Sequence, residues 1–178
     1  MRAEATPLPG LLVLEIEPVA DERGFFARTW SRDEVRAVCP AFDPVQSSVS
    51  WSAKAHTLRG LHWQAEPHAE TKLVRVTQGA VFDVAVDLRP GSATRGRWFG
   101  TQLSAANRRS LLIPRGFAHG LITLADATEV LYVMDAAYAP AAARGARWDD
   151  PAFGIEWPAE PAVIGERDRN WPAWSATA

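Results

Sequence analysis

The chain consists of short segments rich in β-branched and aromatic residues, and glycine, proline or asparagine separates one segment from the next. Seven of these segments predict strands, over Leu11–Glu17, Ser47–Ser52, Thr71–Thr77, Ala80–Leu88, Arg97–Leu103, Ser110–Ile113 and Glu129–Met134. This spacing predicts a mainly β fold, either a sandwich or a barrel. The length of 178 residues suits a single domain spanning residues 1–178.

Alternation within Ala80–Leu88 separates two kinds of side chain. One face carries Phe82, Val84, Val86 and Leu88, and the other carries Asp83, Ala85 and Asp87. Outside the strands we expect one helix near Ser31–Val38, because Ser31 followed by Glu34 forms a capping box. The tail from Ala141 contains four tryptophans among several prolines, and we expect it to wrap the barrel irregularly.

Charge and composition argue against several classes of partner. A formal net charge of −2 and a pI near 6.1 give no reason to expect nucleic acid or an anionic membrane. The sequence lacks the apolar run of about 18 residues that a membrane span requires. Its first residues lack the apolar core of a signal peptide, and its single cysteine, Cys39, cannot form an internal disulfide. These features predict a soluble cytoplasmic protein.

Three chemically distinct side chains stand in β-rich sequence. His62 lies in Leu58-Arg-Gly-Leu-His-Trp-Gln64, and Lys72 shares a strand face with two valines. A lysine on an apolar face costs several kcal/mol unless an anionic group meets it, so the alternatives are a solvated strand end or a salt bridge. Tyr132 alternates with apolar residues, and its hydroxyl therefore needs an interior partner. In one barrel these residues provide a base, a cation and an acid, the groups that move a proton on a carbon next to a carbonyl.

Two questions about this group stay open from the residues alone. Arg59 and His62 fall on opposite faces of a flat strand, so they converge on one pocket only if the chain twists at Gly60. A metal site is the competing interpretation, with His62 and His119 joined by a carboxylate from Glu66 or Glu70. Lys72 argues against that interpretation, because an ammonium repels a metal ion.

The motifs together resemble the dTDP-4-dehydrorhamnose 3,5-epimerase family over about residues 8–172. The matching segments are 21–26, 58–64, 72–76, 83–89, 114–120, Tyr132, Tyr138, 148–151, 155–158 and 167–168. The resemblance implies a cupin-type jelly roll that forms a homodimer and uses no metal or other cofactor. It also implies a nucleotide-linked 4-keto-6-deoxyhexose as substrate, with dTDP as the nucleotide and inversion at C3, C5 or both.

The resemblance also implies a role for individual residues. His62 corresponds to the general base, Asp168 to the carboxylate that orients it, Lys72 to the group that stabilises the enolate oxygen, and Tyr132 to the acid on the opposite face. Residues expected to bind substrate are Arg23, Phe26, Arg28, Gln46, Ser48, Arg59, His119, Tyr138 and Arg167. Of these, Arg59 and His119 hold the diphosphate or sugar, and Phe26 and Tyr138 enclose the base. Arg23 reaches across the dimer, so both chains complete each site.

Three positions depart from the family pattern. Arg28 and Ala143 each stand where the family has glutamate, and Ser48 stands where it has asparagine. All three family residues serve binding rather than proton transfer. The departures leave open that the substrate is a CDP- or GDP-linked keto sugar. The rival function from a different class is a metal-dependent sugar isomerase or a cupin that only binds sugar nucleotides.

Overall fold

Two β-sheets pack face to face in the structure, a computed structural model that describes residues 1–175. The first sheet contains, in spatial order, β1 (Arg2–Ala5), β2 (Leu12–Glu15), β10 (Arg109–Ile113), β7 (Lys72–Gln78), β12 (Thr128–Met134) and β5 (Gln46–Ser52). The second contains β13 (Ala143–Gly145), β6 (Thr57–Gln64), β11 (Phe117–Thr123), β8 (Ala80–Asp87) and β9 (Trp98–Ser104), with β14 (Val163–Ile164) parallel to β6. A separate hairpin joins β3 (Val19–Asp21) to β4 (Gly24–Phe26).

This arrangement confirms the mainly β, jelly-roll type of fold. All seven predicted strands are present, with ends that differ by at most two residues. Seven further strands among residues 1–175, which include β6 and β11, were not in the predicted set. β6 and β11 both contain glycine and histidine, which weaken the strand pattern that the prediction used.

The main core lies between the two sheets. Its inward-facing side chains come from both, and they include Val13, Val74, Val81, Ala85, Leu103, Leu111, Phe117, Leu121 and Val130. Strand β8 follows the predicted alternation, since Ala85 faces this core while Val84 and Val86 face the opposite way. Asp83 and Asp87 are nevertheless fully buried, so their carboxylates need partners inside the protein.

The outer faces of the sheets are covered by different parts of the chain. Helix α1 (Arg32–Val38) places Val35 against the outer face of the first sheet. Ser31 caps this helix as predicted, because its hydroxyl accepts the Glu34 N–H and donates to the Glu34 carboxylate. The C-terminal tail covers the second sheet with Phe153, Trp157 and Trp174. Across residues 1–175, neither helix reaches the length that spanning a bilayer requires.

The tail also brings a short helix to the edge of the second sheet. After β14, helix α2 (Glu166–Arg169) follows, and it contacts β6. The sequence pattern predicted an irregular tail, and short ordered elements within it were missed. This small helix carries Arg167 and Asp168, so the tail contributes to the cavity described next.

Candidate active site

Two adjoining cavities open between the sheets. The larger has a volume of about 400 Å³ and the smaller about 230 Å³. His62, Lys72 and Tyr132 line both of them. The three residues that the sequence singled out for proton chemistry therefore meet at one place.

Gly60 creates the irregularity that brings Arg59 and His62 to the same face. His62 pairs with His119 and Arg59 pairs with Leu121, so two residues of β6 stand opposite Gly120 alone. This bulge adds one residue to the strand, and positions three apart then share a face. Gly60 has φ +115°, and a Cβ there would come within 2.6 Å of the Gly120 Cα and 2.7 Å of the His119 carbonyl oxygen. The twist required at Gly60 is confirmed as a bulge.

A carboxylate from the tail orients His62. The Nε2 of His62 lies 2.6 Å from Asp168 Oδ1, and the Gly60 N–H donates to Asp168 Oδ2 at 3.0 Å. Burial alone would raise the pKa of Asp168, but the His62 contact and the Gly60 N–H hold that pKa below its ordinary value. The aspartate is therefore ionised at neutral pH. When Nε2 donates to it, the Nδ1 lone pair of His62 is available to take a proton.

Tyr132 stands on the other sheet, across the cavity from His62. Its hydroxyl lies 3.1 Å from Ser50 Oγ, the interior partner that the sequence required. Burial raises the pKa of Tyr132 to about 12. The phenol therefore keeps its proton at neutral pH, and a molecule held between the sheets would meet His62 and Tyr132 from opposite sides.

Lys72 also projects inward, from the strand beside Tyr132. In strand order, Lys72 pairs with Met134 and Val74 pairs with Tyr132, which places all four on the same face. The Nζ of Lys72 lies 2.9 Å from Glu70 Oε1. Of the alternatives left open by the sequence, the salt bridge is therefore correct.

His119, which lines the smaller cavity, forms a second histidine–aspartate pair with Asp83 behind it. His119 Nε2 lies 2.9 Å from Asp83 Oδ1, and both side chains are almost fully buried. Arg59 lines the same cavity, where it donates to Ser52 Oγ and to the Trp51 carbonyl. The smaller cavity is thus walled by polar groups that suit an oxygen-rich ligand.

The larger cavity gathers four more of the predicted binding residues, Gln46, Ser48, Tyr138 and Arg167. Alternation along β5 puts Gln46, Ser48 and Ser50 on the face shared with Tyr132. Gln46 also accepts the backbone N–H of Tyr138 at 3.0 Å. Ala143 and Arg144 line this cavity as well, so two of the three departures from the family pattern, Ser48 and Ala143, lie at its wall.

Arg23, Phe26 and Arg28 line neither of these cavities. Arg23 pairs with Asp21 at 2.5 Å in the β3–β4 hairpin, and Arg28 lies 3.8 Å from Glu34. Phe26 is 76% exposed. Within one chain, then, the structure does not bring these three residues to the group around His62.

Within the 1–175 range, no group of three or more histidine, cysteine, aspartate or glutamate side chains is placed to bind one metal ion. His62 and His119 each pair with a different aspartate. Glu70 is engaged by Lys72, and the Glu66 side chain is exposed.

Several contacts of this region were not predicted from the sequence. Ser50 and Trp171 were not singled out, Glu70 was considered only as a metal ligand, and Asp83 was noted only for its place in the strand; each contacts a residue that the sequence had singled out. Asp83 gave a usable signal, because a charged residue alternating within an apolar strand needs a buried partner. Trp171 gave none, since its contact with His62 joins distant parts of the chain.

Comparison with known proteins gives a consistent result. The family model described as dTDP-4-dehydrorhamnose 3,5-epimerase matches residues 5–176. A protein of that name from Shigella flexneri is 43% identical over 171 residues, which cover 96% of this chain and 94% of the relative.

Two solved structures have the same fold over nearly their whole length. The dTDP-4-dehydrorhamnose 3,5-epimerase of Bacillus anthracis, with TDP and PPi bound, has a TM-score of 0.94 and 40% identity, covering 97% of this chain and 99% of that one. An epimerase from Legionella pneumophila, in complex with dTDP-4-keto-L-rhamnose, has a TM-score of 0.91 and 34% identity, covering 97% and 92%.

Proposed function

This chain belongs to the dTDP-4-dehydrorhamnose 3,5-epimerase family, and we propose how its own residues perform an epimerase reaction. It is an isomerase that inverts C3, C5 or both in a dTDP-linked 4-keto-6-deoxyhexose. The observation that carries the proposal is that His62, Asp168, Tyr132 and Lys72 line one cavity. His62 lies on the second sheet with Asp168 on helix α2 beside it, whereas Tyr132 and Lys72 lie on the first sheet. The proposed setting is the cytoplasm. We also propose no nucleic-acid or membrane partner, which the net charge of −2 supports.

Proton removal is the first step. C3 and C5 flank the C4 carbonyl, so a proton on either carbon can leave while its electron pair moves into the carbonyl to form an enolate. His62 takes that proton on Nδ1, and Asp168 stabilises the resulting imidazolium through Nε2. The ammonium of Lys72 stabilises the oxygen that becomes negative, an interaction stronger in the transition state than in the substrate.

Proton return from the other side completes the inversion. Tyr132 donates its phenolic proton to the carbon face away from His62, and the enolate electrons reform the C–H bond and the carbonyl. Tyr132 holds its proton before the step, because its pKa of about 12 lies far above neutral pH. Arg59 and His119 hold the diphosphate or sugar, and Tyr138 covers the base.

Incubation in deuterated water with dTDP-, CDP- and GDP-linked 4-keto-6-deoxyhexoses tests the proposal. We expect deuterium at C3, C5 or both of the dTDP-linked sugar, with inversion at the labelled carbons. The label identifies which carbons react. Failure of all three substrates to exchange, by a folded protein, would contradict the proposed reaction.

A CDP- or GDP-linked substrate is the alternative, and the cavity wall gives the reason to test it. Ala143 supplies no carboxylate, and Arg144 beside it is a donor. Arg28 lines neither cavity of its own chain, but it too is a donor where the family has glutamate. Thymine, by contrast, presents an N3–H that a carboxylate accepts well. Cytosine and guanine present acceptors that suit a guanidinium. Titration calorimetry with dTDP, CDP and GDP decides, and tenfold tighter binding of dTDP, about 1.4 kcal/mol, would end the alternative.

Replacing Tyr132 with phenylalanine should separate the two halves of the reaction. We expect the variant to retain solvent deuterium exchange, because His62 still removes and returns a proton on its own face. Inversion should slow by about 10²–10⁴-fold, the usual effect of losing a general acid. Both rates are measured in one sample by NMR of the sugar protons. If this variant inverts the sugar at the wild-type rate, Tyr132 is not the acid and is an ordinary core residue.

We propose a homodimer in which each site is completed by the partner chain. The β3–β4 hairpin exposes Val19, Phe25 and Phe26, and the edge strand β5 exposes Val49 and Trp51. Exposed apolar groups of this size are typical of a protein interface. Arg23 and Phe26 belong to this exposed hairpin, which supports a contribution from it to a neighbouring site.

Mixing two inactive variants tests whether the hairpin acts in the partner's site. One variant carries His62→Ala, and the other carries Arg23→Ala with Phe26→Ala. After the subunits are dissociated and re-formed together, we expect about a quarter of wild-type activity. Half of the dimers are then mixed, and each mixed dimer holds one intact site. No recovery, or a monomer by light scattering with full activity, would refute the shared site.

A further inference from the structure

Glu70 forms an ion pair with Lys72 inside the cavity. Its Oε1 lies 2.9 Å from the lysine Nζ, and the two side chains are only 9% and 11% exposed. In the described part of the chain, 1–175, Glu70 is the sole carboxylate within salt-bridge distance of Lys72. An ion pair this deeply buried persists only when further hydrogen bonds satisfy its remaining polar atoms.

Gln64 supplies that further support. Its Nε2 donates to Glu70 Oε2 at 2.8 Å and lies 3.0 Å from the His68 carbonyl and 3.3 Å from the Ala137 carbonyl. Its Oε1 accepts the Ala139 N–H at 2.6 Å. Gln64 is therefore fixed by backbone groups on both sides of Tyr138, and it fixes Glu70 in turn.

We propose that Glu70 is a positioning residue, which holds the Lys72 ammonium at the site of enolate formation and, through Gln64, ties it to the segment that carries Tyr138. The inference rests on the proposed function, because it assigns Glu70 no chemistry apart from Lys72. The link from Lys72 through Glu70 to Gln64 would connect the groups that contact two parts of the substrate. The Tyr138 segment would contact the nucleotide end, and Lys72 would contact the reacting carbonyl.

Positioning matters because a lysine side chain has a long flexible stem. Its ammonium has three donors that rotate freely, and only a donor already aimed at the developing oxyanion stabilises the transition state without reorganisation. Glu70 occupies one donor and fixes the direction of the other two. The expected loss on removing Glu70 is therefore in kcat, with KM changed little.

The first experiment compares Glu70→Gln with Glu66→Gln. Both remove one carboxylate from the same loop, but the Glu66 side chain is exposed and lies outside the cavity. We expect Glu70→Gln to lower kcat by about tenfold or more, since hydrogen bonds to charged groups are strong, while KM changes less than about threefold. Glu66→Gln should match wild type. A Glu70→Gln enzyme with wild-type kcat would overturn the inference.

A double-mutant cycle with Lys72→Met shows whether Glu70 acts through the lysine. If it does, adding Glu70→Gln to Lys72→Met lowers solvent deuterium exchange no further. The melting temperature gives a second readout, because Glu70→Gln should destabilise wild type but stabilise the Lys72→Met protein, in which Glu70 has lost its partner. Additive losses of exchange in the cycle would refute a role through Lys72.

The same data distinguish failure of the inference from failure of the proposed function. If Lys72→Met retains near wild-type exchange, the role of Lys72 itself is wrong. If Lys72→Met is severely impaired but Glu70→Gln is not, the proposed reaction stands and only the positioning role is lost.

Discussion

The His62→Ala variant should lose solvent deuterium exchange at the sugar carbons by about 10²–10⁴-fold. His62 lines the cavity, and its Nε2 is held by Asp168 at 2.6 Å, which leaves Nδ1 to take the proton. Exchange requires only proton removal and return, so it reports on the base without depending on Tyr132. NMR of the substrate in deuterated water measures it directly.

Asp168→Asn extends the same prediction to the orienting carboxylate. An asparagine has one acceptor oxygen, whereas Asp168 accepts both from the Gly60 N–H and from His62. The amide also cannot offset the positive charge that His62 gains, so exchange should again fall severely. His68→Ala is the matched control, because the His68 side chain is exposed and should be dispensable. Near wild-type exchange in His62→Ala would end the proposed mechanism.

Gly60→Ala should destabilise the protein severely, because the added Cβ meets backbone atoms that cannot move aside independently. The added Cβ would lie 2.6 Å from one backbone atom and 2.7 Å from another, and φ is +115°. Overpacking costs about 1–3 kcal/mol and an unfavourable backbone conformation adds about as much, so we expect roughly 3 kcal/mol of lost unfolding free energy. Relief of the clash would also move the bulge that aligns Arg59 with His62, and activity should fall with stability.

Gly91→Ala separates the two contributions. Gly91 has φ +76°, but a Cβ there meets nothing within 4 Å. This control should cost only about 1 kcal/mol, through backbone conformation alone. Urea unfolding of both variants gives the comparison. Equal midpoints would mean that the β6–β11 contact relaxes easily and that Gly60 is not required for close packing.

Alternation and capping explain what could be predicted from the sequence. Lys72 and Tyr132 lie on apolar strand faces, and a strand of known direction points such side chains inward whatever the neighbouring strands are. The demand for interior partners follows from the same reasoning, and Glu70 and Ser50 meet it. Ser31 and Glu34 fix the start of α1 through contacts only three residues apart.

Long-range geometry explains what could not be predicted from the residues alone. The bulge at Gly60 arises because β11 lies against β6, and no local pattern shows which residue of β11 the extra residue will face. The contact between His62 and Asp168 joins residues 106 positions apart. The resemblance to a family supplied that pair, whereas periodicity could not.

The parallel pairing of β14 with β6 has a consequence for synthesis. The His62 strand leaves the ribosome well before the segment that holds its aspartate, since Val163 and Ile164 dock beside Thr57 and Leu58 and carry Asp168 with them. A nascent chain can thus assemble most of both sheets while its base is still unpaired. Contacts this distant in sequence form slowly. The catalytic pair therefore forms only after nearly the whole described chain has been synthesised.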